Sequence, residues 1–174
     1  RVSAGPSSPT CGQRCTSLRR LFVHDSIYDD FVTPLRAAYG SVPVSDPRKE
    51  GVLIGPLIDG GAFDNMQNAL AEARKAGRVS GGERVEAAGF ADAYFVRPAL
   101  VEIEKQADVV LRETFAPILY VMRYRDLDDA IALQNAAKHG LSSSIFTLDV
   151  REAERFMSAM GSDCGIANVN IGPS

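Results

Sequence analysis

Apolar positions recur along this chain at two spacings, and the two alternate. Leu21-Phe22-Val23, inside Arg20 to His24, is a short apolar run that predicts a buried strand. From Ser26, a candidate cap, Ile27, Phe31, Val32, Leu35 and Tyr39 fall on one helical stripe. Pro34 interrupts that stripe and predicts a kink or a late start. Val42 to Gly61, with Pro43, Pro47 and Pro56, reads as a long connection. A second helix is predicted from Ala62 to Ala76, with Phe63, Met66, Leu70 and Ala73 on one side and Gly77 as its stop.

Val79 to Val85 predicts a short strand or hairpin broken by Gly81-Gly82. No strand–glycine–helix pattern frames that pair as a phosphate cradle, so it reads as a turn. Tyr94-Phe95-Val96 and Ala99 to Ile103 read as strands on either side of Pro98, and Ile118 to Met122 as a strongly apolar strand. A helix is predicted over Asp126 to Lys138, ended by Gly140, then a short strand at Ser144-Ile145-Phe146. Asp149 and Glu152 form a capping-box-like pair for a helix bearing Val150, Ala153, Phe156, Met157 and Met160. Gly165 to Ile171 is the last strand. Strands alternating with helices predict an α/β domain, a three-layer α/β/α arrangement around a largely parallel sheet.

Composition narrows the function classes. A chain of 174 residues, 45% hydrophobic and 24% charged, suits one globular domain with a sizeable core. A net charge of -3 offers no basic face for nucleic acid. No apolar run reaches membrane-spanning length, and Arg1 to Thr10, read as a disordered tail, lack the apolar stretch of a signal peptide. The odd set Cys11, Cys15 and Cys164 does not make a disulfide framework, which predicts a reducing, cytoplasmic setting. No metal is expected: Cys164, His24 and His139 lie far from Cys11 and Cys15 in sequence and lack ligand spacing.

The candidate chemistry sits in Cys11-Gly12-Gln13-Arg14-Cys15-Thr16. A thiol attacks carbonyls as its thiolate, which a neighbouring cation such as Arg14 favours. Cysteine is also a common small packing residue, so the motif alone leaves Cys15 between nucleophile and core. Cys11, beside the tail, is expected to be exposed; Cys164, leading into a buried strand, is expected to be inert.

Four separate segments carry a resemblance. Gly12-Gln13-Arg14-Cys15, Glu113-Thr114-Phe115-Ala116-Pro117-Ile118, Gly140-Leu141-Ser142-Ser143-Ser144-Ile145-Phe146-Thr147 and Gly165-Ile166-Ala167-Asn168-Val169-Asn170 resemble, in order and spacing, motifs of the aldehyde dehydrogenase superfamily. Arg14, Ser142-Ser143-Ser144 and Gly161-Ser162-Asp163-Cys164-Gly165 are most similar to its antiquitin branch, the α-aminoadipic semialdehyde dehydrogenases.

The resemblance implies the superfamily's catalytic domain over residues 11–174 and a covalent oxidation of an aldehyde. Cys15 would be the nucleophile, passing through a thiohemiacetal and a thioester, with backbone N–H groups steadying the oxyanion. Glu113 and Phe115 would meet the nicotinamide ribose of NAD or NADP. Arg14 would hold a substrate carboxylate, and Asn170 would lie near the substrate tunnel. Read without the family, Arg14 suits a surface or capping role and Glu113 an ion pair. The family places a dinucleotide-binding domain, a general-base glutamate and an oxyanion asparagine before the cysteine. It continues beyond the last strand into a tunnel loop and an oligomerising tail. The expectation is therefore an incomplete catalytic domain that forms homo-oligomers and, alone, neither binds NAD(P) nor turns over. One half of a two-chain enzyme and a non-catalytic binding or scaffold protein are the other readings.

Overall fold

The computed structural model of the chain describes residues 10–172. Most of the predicted tail, residues 1–9, lies outside them. In chain order the elements are β1 (Arg20–His24), α1 (Tyr28–Ser41), α2 (Gly60–Ala73), β2 (Gly77–Ser80), β3 (Arg84–Val85) and β4 (Phe95–Val96). They continue with β5 (Ala99–Ile103), α3 (Asp108–Leu111), β6 (Ile118–Tyr124), α4 (Leu127–Asn135), β7 (Ser142–Ile145), α5 (Val150–Met157) and β8 (Ile166–Val169).

The main sheet runs β1-β6-β5-β2. β6 is parallel to β1 and β5, and β2 joins β5 antiparallel at the edge. The sheet is covered on both faces, and β6 shows how. Successive strand side chains point to opposite faces. Ile118, Tyr120 and Met122 share one core with Ala99, Val101 and Ile103 of β5, beneath Met66, Leu70 and Ala73 of α2 and Val109 and Val110 of α3. Leu119 and Val121 share the other with Val23, Leu100 and the α1 side chains Tyr28, Val32, Leu35 and Tyr39. A strand buried on both sides reads as an unbroken apolar run, which is why Ile118 to Met122 shows no alternation. Burying each such side chain contributes roughly 1.5–3 kcal/mol. The fold is thus the predicted three-layer α/β arrangement with a mostly parallel sheet. Arg36 of α1 clasps Glu102 of β5 with two hydrogen bonds, at 2.9 and 2.8 Å.

Several elements depart from the sequence reading. Ser26 does not cap α1; a 3₁₀ turn over Asp25–Ile27 intervenes, and the Ser26 N–H donates to the His24 ring. That extra turn brings Tyr28 into the core and leaves Ile27 53% exposed. α1 runs through Pro34, whose exposed position lets the carbonyl it leaves unbonded meet water. α2 stops at Ala73 rather than at Gly77, because Gly77 opens β2. A Cβ there would stand 2.3 Å from the Glu102 carbonyl oxygen, so only glycine lets β2 approach β5. Gly81 and Gly82 take left-handed backbone, with φ of 79° and 90°, between β2 and β3, and those two strands do not pair as a hairpin. β2 pairs with β5, and β3 pairs with β4. α3 is a single turn that periodicity could not reveal. α4 ends at Asn135, short of Lys138.

At the C-terminal end, β7 and β8 form their own parallel pair. Ile166 and Ala167 of β8 are exposed, so the last strand is not the buried one expected. The capping pair is half formed: Asp149 accepts from the Arg151 N–H at 2.7 Å, while Glu152 takes the Thr147 hydroxyl instead of the Asp149 N–H.

Candidate active site

The segment from Cys11 to Ser17 is a loop held close to a distant stretch of chain. Cys11 and Gly12 both have left-handed backbone, with φ of 54° and 67°. A Cβ on Gly12 would lie 2.2 Å from the Ala116 carbonyl oxygen and 2.7 Å from the Pro117 nitrogen. Glycine therefore lets the cysteine loop rest directly on the Ala116-Pro117 backbone. Gln13 fixes the loop from the other side. Its Oε1 accepts from the Ile58 N–H at 2.9 Å, and its Nε2 donates to the Pro56 carbonyl at 3.3 Å. Within the loop the Ser17 N–H donates to the Arg14 carbonyl at 3.1 Å, and the Arg14 N–H to the Ser17 hydroxyl at 3.2 Å. This turn leaves Arg14 and Cys15 exposed.

The three thiols sit in different surroundings. Cys11 is only 1% exposed, and burial pushes its thiol up to about 12, which corrects the expectation of an exposed tail cysteine. Cys164 is half-buried, its Sγ 2.9 Å from the Ser143 hydroxyl. Cys15 alone is exposed.

Arg19, just before β1, joins the loop to the Glu113 segment. Its Nη1 donates to the Thr114 carbonyl at 2.6 Å; its Nη2 donates to the carbonyls of Gly12 at 3.2 Å and Arg14 at 3.1 Å. Its Nε stands 3.7 Å from the Glu113 carboxylate, and the guanidinium lies over the Phe115 ring at 4.8 Å. Burial lowers the Arg19 pKa, while the negative charges of Glu113 and Cys15 oppose that shift.

The structure thus brings Arg14, Cys15, Glu113 and Phe115 together around Arg19. Cys15, Arg19 and Glu113 open onto a cleft of about 1130 Å³, walled by β1 on one side and by Gly140 to Phe146 on the other. Asn170 is not among the residues lining it. At φ 58° Asn170 closes the end of β8, its amide accepting from the Thr147 N–H at 2.9 Å and donating to the Thr147 carbonyl at 3.0 Å. Arg14 makes no ion pair among the described residues, so its guanidinium is available to an incoming anion. Sequence reasoning missed Arg19. The available signal was an arginine four residues after the cysteine, at the threshold of an apolar strand.

Comparison with known proteins places the chain in a family. Residues 7–174 match the model of the aldehyde dehydrogenase family. The chain is 45% identical over 164 residues to aldehyde dehydrogenase family 7 member A1 of Pisum sativum, covering 93% of this chain and 32% of that protein. It is 44% identical over 165 residues to α-aminoadipic semialdehyde dehydrogenase of Bos taurus, covering 93% of this chain and 30% of that one. A solved structure of 3,6-anhydro-L-galactose dehydrogenase in complex with NAP matches with a TM-score of 0.85 at 27% identity, over 94% of this chain and 35% of that one. The chain spans about a third of the length of the relatives it matches. The likeness to the antiquitin branch, read from Arg14 and the serine run, is the one these relatives show. With the family's pattern running from residue 7 to residue 174, the chain belongs to the aldehyde dehydrogenase family.

Proposed function

We propose that this chain is the catalytic-domain part of an NAD(P)-dependent aldehyde dehydrogenase whose nucleophile is Cys15. The observation that carries the reading is the placement of an exposed thiol on a loop seated directly against the Glu113–Pro117 segment. The Cys15 thiolate forms a bond to the aldehyde carbon, and the carbonyl oxygen becomes the oxyanion of a thiohemiacetal. Cys15 then carries the acyl group as a thioester until water releases the acid. Arg14, exposed beside it, suits a substrate that bears a carboxylate at its far end, as a semialdehyde does.

The residues present fit the nicotinamide end of a dinucleotide. Glu113, with its side chain 39% exposed, offers a carboxylate to ribose hydroxyls, and Phe115, 43% exposed, offers a ring face. The chemistry a bound NAD(P)+ supplies is acceptance of one hydride. The three free cysteines fit a reducing, cytoplasmic setting, and among the described residues no helix is long and apolar enough to cross a membrane. The partner at the site is a small aldehyde, and the exposed apolar C-terminal residues fit association with further copies of the chain. Alone, the chain is expected to give no steady NADH formation with aldehydes and NAD+.

An activated ester tests the nucleophile without any hydride acceptor, because acyl transfer from a nitrophenyl ester makes the same thioester. One equivalent of nitrophenol should appear in a burst, with the acyl group mapping to Cys15 by mass spectrometry. Acylation of Cys164 in preference, or an unchanged burst in Cys15→Ala, would overturn the reading.

A further inference from the structure

Two arginines stand side by side where the first strand begins, Arg19 just before it and Arg20 as its first residue, and their partners differ in kind. Arg20 donates to the Leu133 carbonyl at 3.1 Å, to the Gln134 carbonyl at 3.2 Å and to the Gln106 side chain at 3.2 Å, all away from the cysteine loop. Among the described residues, every partner of the Arg19 side chain belongs to the cysteine loop or to the Glu113–Phe115 segment. We propose that Arg19 is a positioning residue: its guanidinium locks the Cys15 loop to the Glu113–Phe115 loop and so holds the thiol in place.

This rests on Cys15 being the nucleophile, and it adds a means of setting that nucleophile. Three carbonyls from two loops converge on one planar group, a demand that the fixed fork of arginine meets. A lysine ammonium is a point charge and loses that fork. The guanidinium is shielded from solvent, its side chain 19% exposed, so water competes little for the three carbonyls.

The test uses the 174-residue chain and its Arg19→Ala, Arg19→Lys and Glu113→Gln variants. Acylation of Cys15 by the nitrophenyl ester is followed at fixed pH and mapped by mass spectrometry, alongside amide hydrogen exchange of the two loops. Arg19→Ala should slow Cys15 acylation several-fold and raise exchange several-fold in both loops, with exchange in β5 and β6 unchanged. Arg19→Lys, which loses the fork, should raise exchange in both loops as well. Glu113→Gln keeps the three carbonyl hydrogen bonds and should leave exchange in both loops as in the parent. Exchange that does not rise in Arg19→Ala, or that rises in one loop only, overturns the proposal. If Arg19→Ala does not fold, Arg19→Lys decides, and exchange that fails to rise in both loops overturns it. If the parent chain does not acylate Cys15 in preference to Cys164, the nucleophile assignment fails, whatever the Arg19 variants show.

Discussion

The main sheet and the β7–α5–β8 unit use similar strands and helices, yet they are held in opposite ways. In the first, Leu100, Leu119, Val121 and Met122 are at most 1% exposed, packed between α1 on one face and α2 and α3 on the other. In the second, Phe146, Val150 and Met160 are each about 70% exposed, and Phe156 is its buried anchor. Among the described residues, neither core extends beyond Met122. The C-terminal unit is joined mainly by polar ties. The Asn135 side chain donates to the Gly161 carbonyl and accepts from the Asp163 N–H, each at 2.9 Å, and Arg155 pairs with Asp128 at 2.8 Å. Cys15, Glu113 and Phe115 hang from the packed region, while Asn170 belongs to the loosely packed one. A site needing fixed geometry is better served by the region whose side chains are locked by packing.

The largest effect expected is on stability in the packed region. Leu119→Ala removes a fully buried side chain and should cost about 2–5 kcal/mol. Leu148→Ala, at a residue wholly open to solvent, should change stability by under about 0.5 kcal/mol. Urea unfolding of both variants measures the gap; equal losses would mean that the C-terminal unit shares the core's cooperativity.

Next is the joint between loop and sheet. Gly12→Ala places a Cβ 2.2 Å from the Ala116 carbonyl oxygen at a left-handed φ of 67°. The loop must move, at a cost of roughly 1–3 kcal/mol, and Cys15 should acylate more slowly. An unchanged burst with nitrophenyl ester would show that the close approach of Gly12 does not set the thiol.

How far the chain could be read follows the same division. Ile118 to Met122 and the α2 stripe were legible because burial on a defined face leaves an apolar pattern. The last strand was misread because Ile166 and Val169 carry strand-like residues without a covering layer, and a pattern does not say what covers it. Cys15 and Glu113 stood out in sequence as candidates through the motifs around them. Arg19 did not, since no apolar spacing or motif marks it; its place follows from the ladder, which sets its carbonyl against the Tyr120 N–H at 2.9 Å. Cys11 was misplaced because polarity in the flanking residues does not report a backbone turn that tucks the thiol inward.

The exposed apolar residues of the C-terminal unit give a further test. Phe146, Leu148, Met160 and Ile171 are at least 62% exposed, and such patches favour association. Sedimentation should show dimers or larger species at micromolar concentrations, and Phe146→Lys should weaken them. A monodisperse monomer at high concentration would mean that these residues are harmless singly.

The smallest effect separates the packed region's polar joints from its apolar core. Asp46, 8% exposed, accepts from the Arg48 Nε at 2.9 Å, from its Nη2 at 2.8 Å and from its backbone N–H at 3.1 Å. These hydrogen bonds hold its carboxyl down at about 2, below the ordinary value near 3.9. A carboxylate whose folded pKa is depressed binds protons more readily when unfolded, so its contribution is complete above about pH 4 and drains away as pH falls toward 2. Asp46→Asn should therefore be less stable than the parent at pH 6, and the gap should close between pH 4 and pH 2. Urea midpoints taken across that window decide it. A gap that stays constant with pH would mean that the Asp46–Arg48 pair holds the Pro43–Gly55 connection through shape alone, without its charge.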